Sequence, residues 1–182
     1  MQDIAQNLTG ESVNWIHWVS ALRITTCAIC SANHGRIFSI HEDVSDLIPV
    51  HMNCLCKIES MRTITAGLAT YHGIYGADVY LVYKGILPEY YTDKKTAVEY
   101  GWKKKKGNLS DVLPGKMIGG DIFENRNGKL PYAEGRIWYE ADINYSTGYR
   151  TKARLLYSND GFVFATYDHY MTFYEIVGGN HV

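Results

Sequence analysis

The four cysteines crowd into one short stretch, at Cys27, Cys30, Cys54 and Cys56, and no thiol follows them. Everything beyond that stretch must hold together by packing and hydrogen bonding alone, so it can fold in a reducing compartment. The cysteine-bearing part has another character. Cys27-Ala-Ile-Cys30 and His51-Met-Asn-Cys54-Leu-Cys56 offer five candidate ligands, with the loop Asn33-His-Gly-Arg36 between them. Two ligand pairs joined by a loop suit structural zinc; free buried thiols, or disulfides in a secreted protein, are the alternatives. A zinc site there would contribute folding energy outright, and its loss would melt this part while sparing the rest.

A chain of 182 residues has room for one well-cored domain and a smaller appendage. It contains no unbroken apolar run of the ~18 residues a membrane span needs. Its start, Met1-Gln-Asp-Ile-Ala-Gln6, lacks the basic patch and apolar stretch of a Sec signal peptide, so another delivery route is expected if the protein leaves its cell. The formal net charge is −1, and any surface that attracts a polyanion must therefore be local. Lys103 to Lys106 is the obvious basic run, readable as a solvated turn or as a phosphate contact.

The clearest break follows Arg62. Residues 63–76, rich in Gly and Thr, read as a linker between a cysteine-rich segment, 1–62, and a tyrosine-rich domain, 77–182. A first helix is expected near Ala77 to Lys84, and Thr92 or Asp93 can cap a second that ends at Tyr100-Gly101. From Arg136 the pattern changes to strands: Arg136 to Tyr145, Arg154 to Tyr157, Phe162 to Thr166 and Met171 to Val177. Turn chemistry separates them at Ser146-Thr-Gly148, Asn159-Asp-Gly161 and Asp168-His169. Helices followed by hairpin-linked strands imply an α+β domain with an antiparallel sheet.

Alternation along the first of these strands sets Ile137, Tyr139, Ala141 and Ile143 on one face and Trp138, Glu140, Asp142 and Asn144 on the other. A charged and aromatic face suggests an open working surface. Arg150 and Arg154 follow at a spacing that lets a hairpin fold them back towards Glu140 and Asp142, and His169 lies in the turn before the last strand. These residues supply a base, an acid and cations, the set that cleavage of RNA by its own 2′-hydroxyl requires. By spacing alone they also fit a sheet salt bridge, a turn histidine and a solvated carboxylate.

From Leu87 to Phe173 the chain resembles the barnase-like, guanyl-specific bacterial ribonucleases without a gap. The resemblance is carried by Gly107-Asn-Leu-Ser-Asp-Val112, Pro114-Gly-Lys116, Ile118-Gly-Gly-Asp-Ile-Phe123, Asn125-Arg126, Gly128-Lys-Leu-Pro131, Glu140-Ala-Asp-Ile-Asn-Tyr145, Leu156-Tyr-Ser158 and Asp168-His-Tyr170. It implies N-terminal helices packed on a five-stranded antiparallel sheet with RNA lying across it. It also implies Glu140 as general base and His169 as general acid, with Arg150, Arg154 and Lys94 around the scissile phosphate. Tyr170 would line the site. The implied reaction passes through a 2′,3′-cyclic phosphate with no metal or other cofactor.

The segment Glu124-Asn125-Arg126-Asn127 corresponds to the family's guanine-recognition loop, with Asn125, Arg126 and Asn127 as candidate base contacts. Asn127 stands where the family typically has a glutamate, so a weaker guanine preference is expected. Asp160 with Arg136 reads as an internal ion pair, and Trp102 and Trp138 as core or wall.

From about Trp18 to Arg62 the chain also resembles the C-terminal end of Mu F-like phage minor head proteins, which carry a Cys-x-x-Cys followed by a His-x-Asn-Cys-x-Cys. Together the two resemblances imply a ribonuclease toxin domain behind a truncated delivery module. Such a toxin would act on RNA in the cytoplasm of a target cell, as a monomer, restrained by a barstar-like or other acidic immunity protein. The alternatives are a phage head or packaging protein whose ribonuclease-like part only binds RNA, and a secreted nutritional ribonuclease.

Overall fold

The computed structural model describes residues 4–179. Among them the regular elements run β1 (Leu8–Val19), α1 (Ala28–Asn33), β2 (Ile37–Ser39), β3 (Lys57–Thr65), α2 (Ala77–Lys84), β4 (Tyr91–Thr92), α3 (Lys94–Glu99), α4 (Leu109–Val112), β5 (Met117–Ile122), β6 (Trp138–Asp142), β7 (Arg154–Ser158), β8 (Val163–Thr166) and β9 (Tyr174–Val177). The strands form one sheet in the order β2-β1-β3-β9-β8-β7-β6-β5-β4. β5 to β9 make a consecutive antiparallel meander.

The sheet thus has nine strands where five were expected, and it does not begin after the helices. β3 pairs in parallel with β9, Thr63 opposite Glu175, and carries β1 and β2 beyond it. The front segment extends the sheet of the rest of the chain. Its strands escape a pattern-based reading because β1 is bulged, with register shifts between Leu8 and Gly10 and between Glu11 and Ile16. A bulge breaks the two-residue period by which a strand is recognised.

The expected linker is ordered at both ends. Residues 63–65 are strand, and the loop after them is gathered by Asp78, which is fully buried. Its carboxylate accepts the N–H groups of Gly67 and Ala69 and the hydroxyl of Thr70. α2 occupies the residues anticipated for it and ends on Gly85, whose φ of 68° is the left-handed conformation a helix C-terminus favours. α3 is capped by Asp93, which accepts the Thr96 N–H at 2.8 Å.

Alternation along the meander separates two cores. On one face Leu155, Ala165 and Ile176 pack with Ala77 and Leu81 of α2. On the other, Trp138, Leu156 and Phe164 meet Trp15, Ile37 and Met61 from the front segment. Trp15 seals this side edge-on, 4.9 Å from Phe162 and 5.8 Å from Phe164 between ring centroids. The front segment therefore covers one end of the face that carries Glu140, where an open surface was expected.

Candidate active site

Hairpin register builds the centre of the site. Across β6 and β7, Glu140 stands opposite Leu156 and Asp142 opposite Arg154, and across β7 and β8 Arg154 stands opposite Thr166. Cross-strand partners share a face, so Asp142, Arg154 and Thr166 form a row beside Glu140. Asp142 has no exposed surface. Arg150 donates to both of its carboxylate oxygens, at 2.6 and 2.7 Å. The Nε of Arg154 lies 2.9 Å from Asp142 Oδ1, and its Nη1 donates to the carbonyls of Thr151 and Ala153. The sheet salt bridge and the phosphate clamp are therefore compatible: Asp142 orients both guanidinium groups, and both line the cavity beside Glu140.

Glu140 is nearly buried and doubly held. Lys94 Nζ donates to Oε1 at 2.5 Å, and the Tyr170 hydroxyl to Oε2 at 2.7 Å. Burial pushes its pKa up, but the hydrogen bonds from Lys94 and Tyr170 and the charges of Lys94 and Arg150 outweigh it, and the net shift is downward. Glu140 is thus a carboxylate well below neutral pH. Lys94 comes from the first turn of α3, and its backbone N–H is held by Asp121. Asp121 sits opposite Glu140 because β5 is bulged at Gly120, where φ is 94°.

His169 and Tyr170 are consecutive left-handed residues, with φ of 62° and 68°. Non-glycine residues adopt this conformation at a cost and need surroundings that enforce it. Asp168 Oδ1 accepts from the Thr166 hydroxyl and from the N–H groups of Met171 and Thr172, while Thr166 Oγ1 accepts the Tyr170 N–H. These bonds draw residues 171–173 off the ladder, so β9 starts at Tyr174 where a strand from Met171 was expected. They also turn His169 towards the groove it lines with Glu140 and Tyr170. Burial, Arg154 and Lys152 lower the pKa of His169, with a smaller push from Lys104, against an upward pull from Glu140.

The groove has two lobes. One, of about 410 Å³, is lined by Lys94, Lys104, Arg150, Lys152, Arg154 and His169 around Glu140. The other, of about 530 Å³, lies under the loop 124–127. Lys94, Glu140 and Tyr170 line both. Lys104 is the residue of the basic run that reaches the groove. Just after the run, Gly107 packs on the backbone of the next wall of the groove: a Cβ there would lie 2.9 Å from the Gly148 carbonyl carbon.

In the second lobe Phe123 stacks on Tyr170 with centroids 5.1 Å apart. Asn125 spends its side chain on the backbone, bonding the Leu130 N–H and carbonyl. It shapes the loop, whereas Arg126 and Asn127 are exposed, with Arg126 paired to Glu124. Trp102 and Trp138 are buried, and Arg136 is paired with Asp160. Asp121, Phe123 and Lys152 carried no role in the sequence reading, and Asp168 only that of a turn residue. The Gly119-Gly120 pair was the one visible hint, since glycine inside a strand marks a bulge.

The cysteine motifs converge as well. Cys27, Cys30 and His51 bring ligand atoms within 4.8 Å of one another, and so do Cys30, Cys54 and Cys56.

The model of the ribonuclease family matches residues 78–177, which hold every residue of this groove. The chain belongs to the ribonuclease family. This ribonuclease is 50% identical over 132 residues to a ribonuclease of Bacillus pumilus, covering 71% of this chain and 80% of that one. It is also 50% identical over 111 residues to ribonucleases of Heyndrickxia coagulans and Bacillus intermedius. Those matches cover 61% of this chain, with 99% and 67% of the relatives respectively. No helix among the described residues of the ribonuclease is long and apolar enough to cross a membrane.

Proposed function

We propose that this ribonuclease cuts single-stranded RNA by attack of the RNA's own 2′-hydroxyl, with Glu140 as general base and His169 as general acid. One observation carries the reading: an ionised carboxylate and a histidine line one groove with Lys94, Lys104, Arg150, Lys152 and Arg154. Glu140 takes the 2′ proton as the 2′ oxygen bonds to phosphorus. The 5′ oxygen then leaves with the proton of His169, and a 2′,3′-cyclic phosphate remains. In the second step the roles reverse: His169 deprotonates water and Glu140 returns the proton to the 2′ oxygen. Positioned acids and bases contribute roughly 100- to 10,000-fold each, and Arg150 and Arg154 offset the charge that grows on phosphorus. Every role has a side chain of its own, so the chemistry requires no metal.

The cations that lower the pKa of His169 also attract the phosphate, whose negative charge offsets them once RNA is bound. The base on the 5′ side of the cut fits the lobe under residues 124–127. A cationic groove of this kind suits an acidic immunity protein, barstar-like in character, and we infer a toxin domain that acts in a target cell's cytoplasm. A binding-only phage head protein has no need of a base and an acid together.

The test is product chemistry. A short RNA should yield 2′,3′-cyclic phosphate ends by chromatography, with cleavage persisting in EDTA. Ends carrying a 5′-phosphate, or cleavage abolished outright by chelation, would overturn the mechanism.

A further inference from the structure

The stretch that joins β2 to β3 has little regular structure to hold it. Between β2 and β3 only a single 3-10 turn forms, Ser45–Leu47. This irregular stretch nevertheless folds back on α1, where Cys30 and Cys56 are buried against Trp18 and Phe38. The Cys30 sulfur lies 3.8 Å from the Cys54 sulfur and 3.4 Å from His51 Nε2. His51 Nδ1 is 2.8 Å from the Met52 carbonyl oxygen, a contact that requires the proton on Nδ1 and leaves the Nε2 lone pair aimed at the sulfurs. All four cysteines are free thiols.

The same segment touches the catalytic machinery. α1 ends at Asn33, and Gly35 just beyond it packs so closely on the catalytic turn that a Cβ there would lie 2.1 Å from the Met171 carbonyl oxygen. Gly35 N–H donates to Trp18, and Ile37 N–H donates at 2.7 Å to the carbonyl of Lys129, at the end of the base-side loop. Lys129 in turn donates from Nζ to the Tyr170 carbonyl at 3.0 Å. One short stretch, Gly35 to Ile37, thus supports both the His169–Tyr170 turn and the loop that faces the base.

We propose that the cysteine cluster binds one zinc-type divalent ion, and that this ion anchors a brace, α1 to β2, behind the catalytic turn. Zinc takes four ligands in a tetrahedron, and Cys30 belongs to both ligand triads, so it is a ligand in every quartet that keeps either triad whole. The bound ion ties the first turn of α1, at Cys27 and Cys30, to the strand entry at Cys54 and Cys56, and so holds the short helix from whose other end Gly35 and Arg36 project. Loss of the ion would then reach His169, contrary to the expectation that the two parts melt separately. The brace acts on catalysis by positioning alone, since no cysteine lines the groove.

The full chain, purified reduced, should carry one zinc per molecule. The stripped protein should take up one equivalent of Co²⁺ with the visible bands of tetrahedral cobalt and thiolate charge-transfer absorption. Removing the metal should speed hydrogen exchange at the Met171 and Thr172 amides and lower kcat on a dinucleotide several-fold with KM little changed, all restored by zinc. Cys30→Ser should abolish metal uptake; because that variant could also misfold, the comparison of stripped and loaded wild-type protein decides. Octahedral or substoichiometric cobalt would overturn the site. Tight metal binding with unchanged exchange and kcat would overturn the brace. Metal uptake and exchange are read without RNA, so their failure is distinguishable from failure of the Glu140–His169 mechanism.

Discussion

Arg150 meets Asp142 edge to edge, its Nε and one terminal nitrogen donating to the two carboxylate oxygens at 2.6 and 2.7 Å. A two-point contact of this kind fixes the plane of a guanidinium as well as its position. Asp142 is fully buried, and without it two nearly buried guanidinium groups would face each other uncompensated. Asp142→Ala should cost about 3–5 kcal/mol of stability, read from urea unfolding. A loss below 1 kcal/mol would mean that the arginines find other partners.

Glu140→Ala removes the proposed base while leaving Arg150 and Arg154 in position. The rate on a dinucleotide should fall roughly 100- to 10,000-fold with the fold retained. Stopped-time assays alongside circular dichroism check both halves, and a loss under tenfold would remove Glu140 from the mechanism.

His169→Ala should cost at least as much in cleavage, and it should also slow hydrolysis of a supplied 2′,3′-cyclic phosphate, for which His169 is the proposed base. The pH dependence follows from the direction of its shift. As the proposed acid, His169 must be protonated in the free enzyme, and burial with Arg154 and Lys152 holds its pKa below the ordinary histidine value. kcat/KM should therefore decline as pH rises through a value under ~6.5. Lys152→Ala removes one of the charges responsible and should move that decline to higher pH; a profile that stays put would show that Lys152 does not act on His169.

If the base sits under residues 124–127 as proposed, Asn127 offers it a neutral acceptor where a carboxylate would form a charge-assisted bond to guanine. That difference is worth ~1–3 kcal/mol, so Asn127→Glu should sharpen discrimination between guanine and adenine dinucleotides by roughly 5- to 150-fold. Strict guanine selection in the natural protein would instead assign the contact to another group of the loop, such as Glu124.

The groove was legible where chemistry and register coincide. Glu140, Asp142, Arg150 and Arg154 sit on or beside strands whose alternation is regular, and the hairpin that joins them follows from turn residues. The helix at Ala77–Lys84 was legible for the same reason, a local pattern closed by glycine. What escaped depends on contacts distant in sequence or on irregular backbone. Asp121 reaches Glu140 through a bulge, and the His169–Tyr170 turn is held by Asp168 through bonds that only a non-repetitive backbone makes. The front strands were hidden because β1 is bulged and because β3 finds its partner in β9, at the far end of the chain.

The parallel pairing of β3 with β9 has a consequence for the order in which the molecule can be made. Thr63 to Thr65 have no neighbour in the meander until Glu175 to Val177 exist, and loop-closure entropy opposes so distant a contact until the intervening chain is folded. On a ribosome, the front segment can pair only within itself, β1 with β2 and β3, while the strands bearing Glu140 and Arg154 are synthesised, and it can join the meander through β3 only when β9 emerges. The strands β1 to β3, made before the meander, are among the last to find their place in the sheet, and the proposed brace behind His169 arrives after the groove it would support.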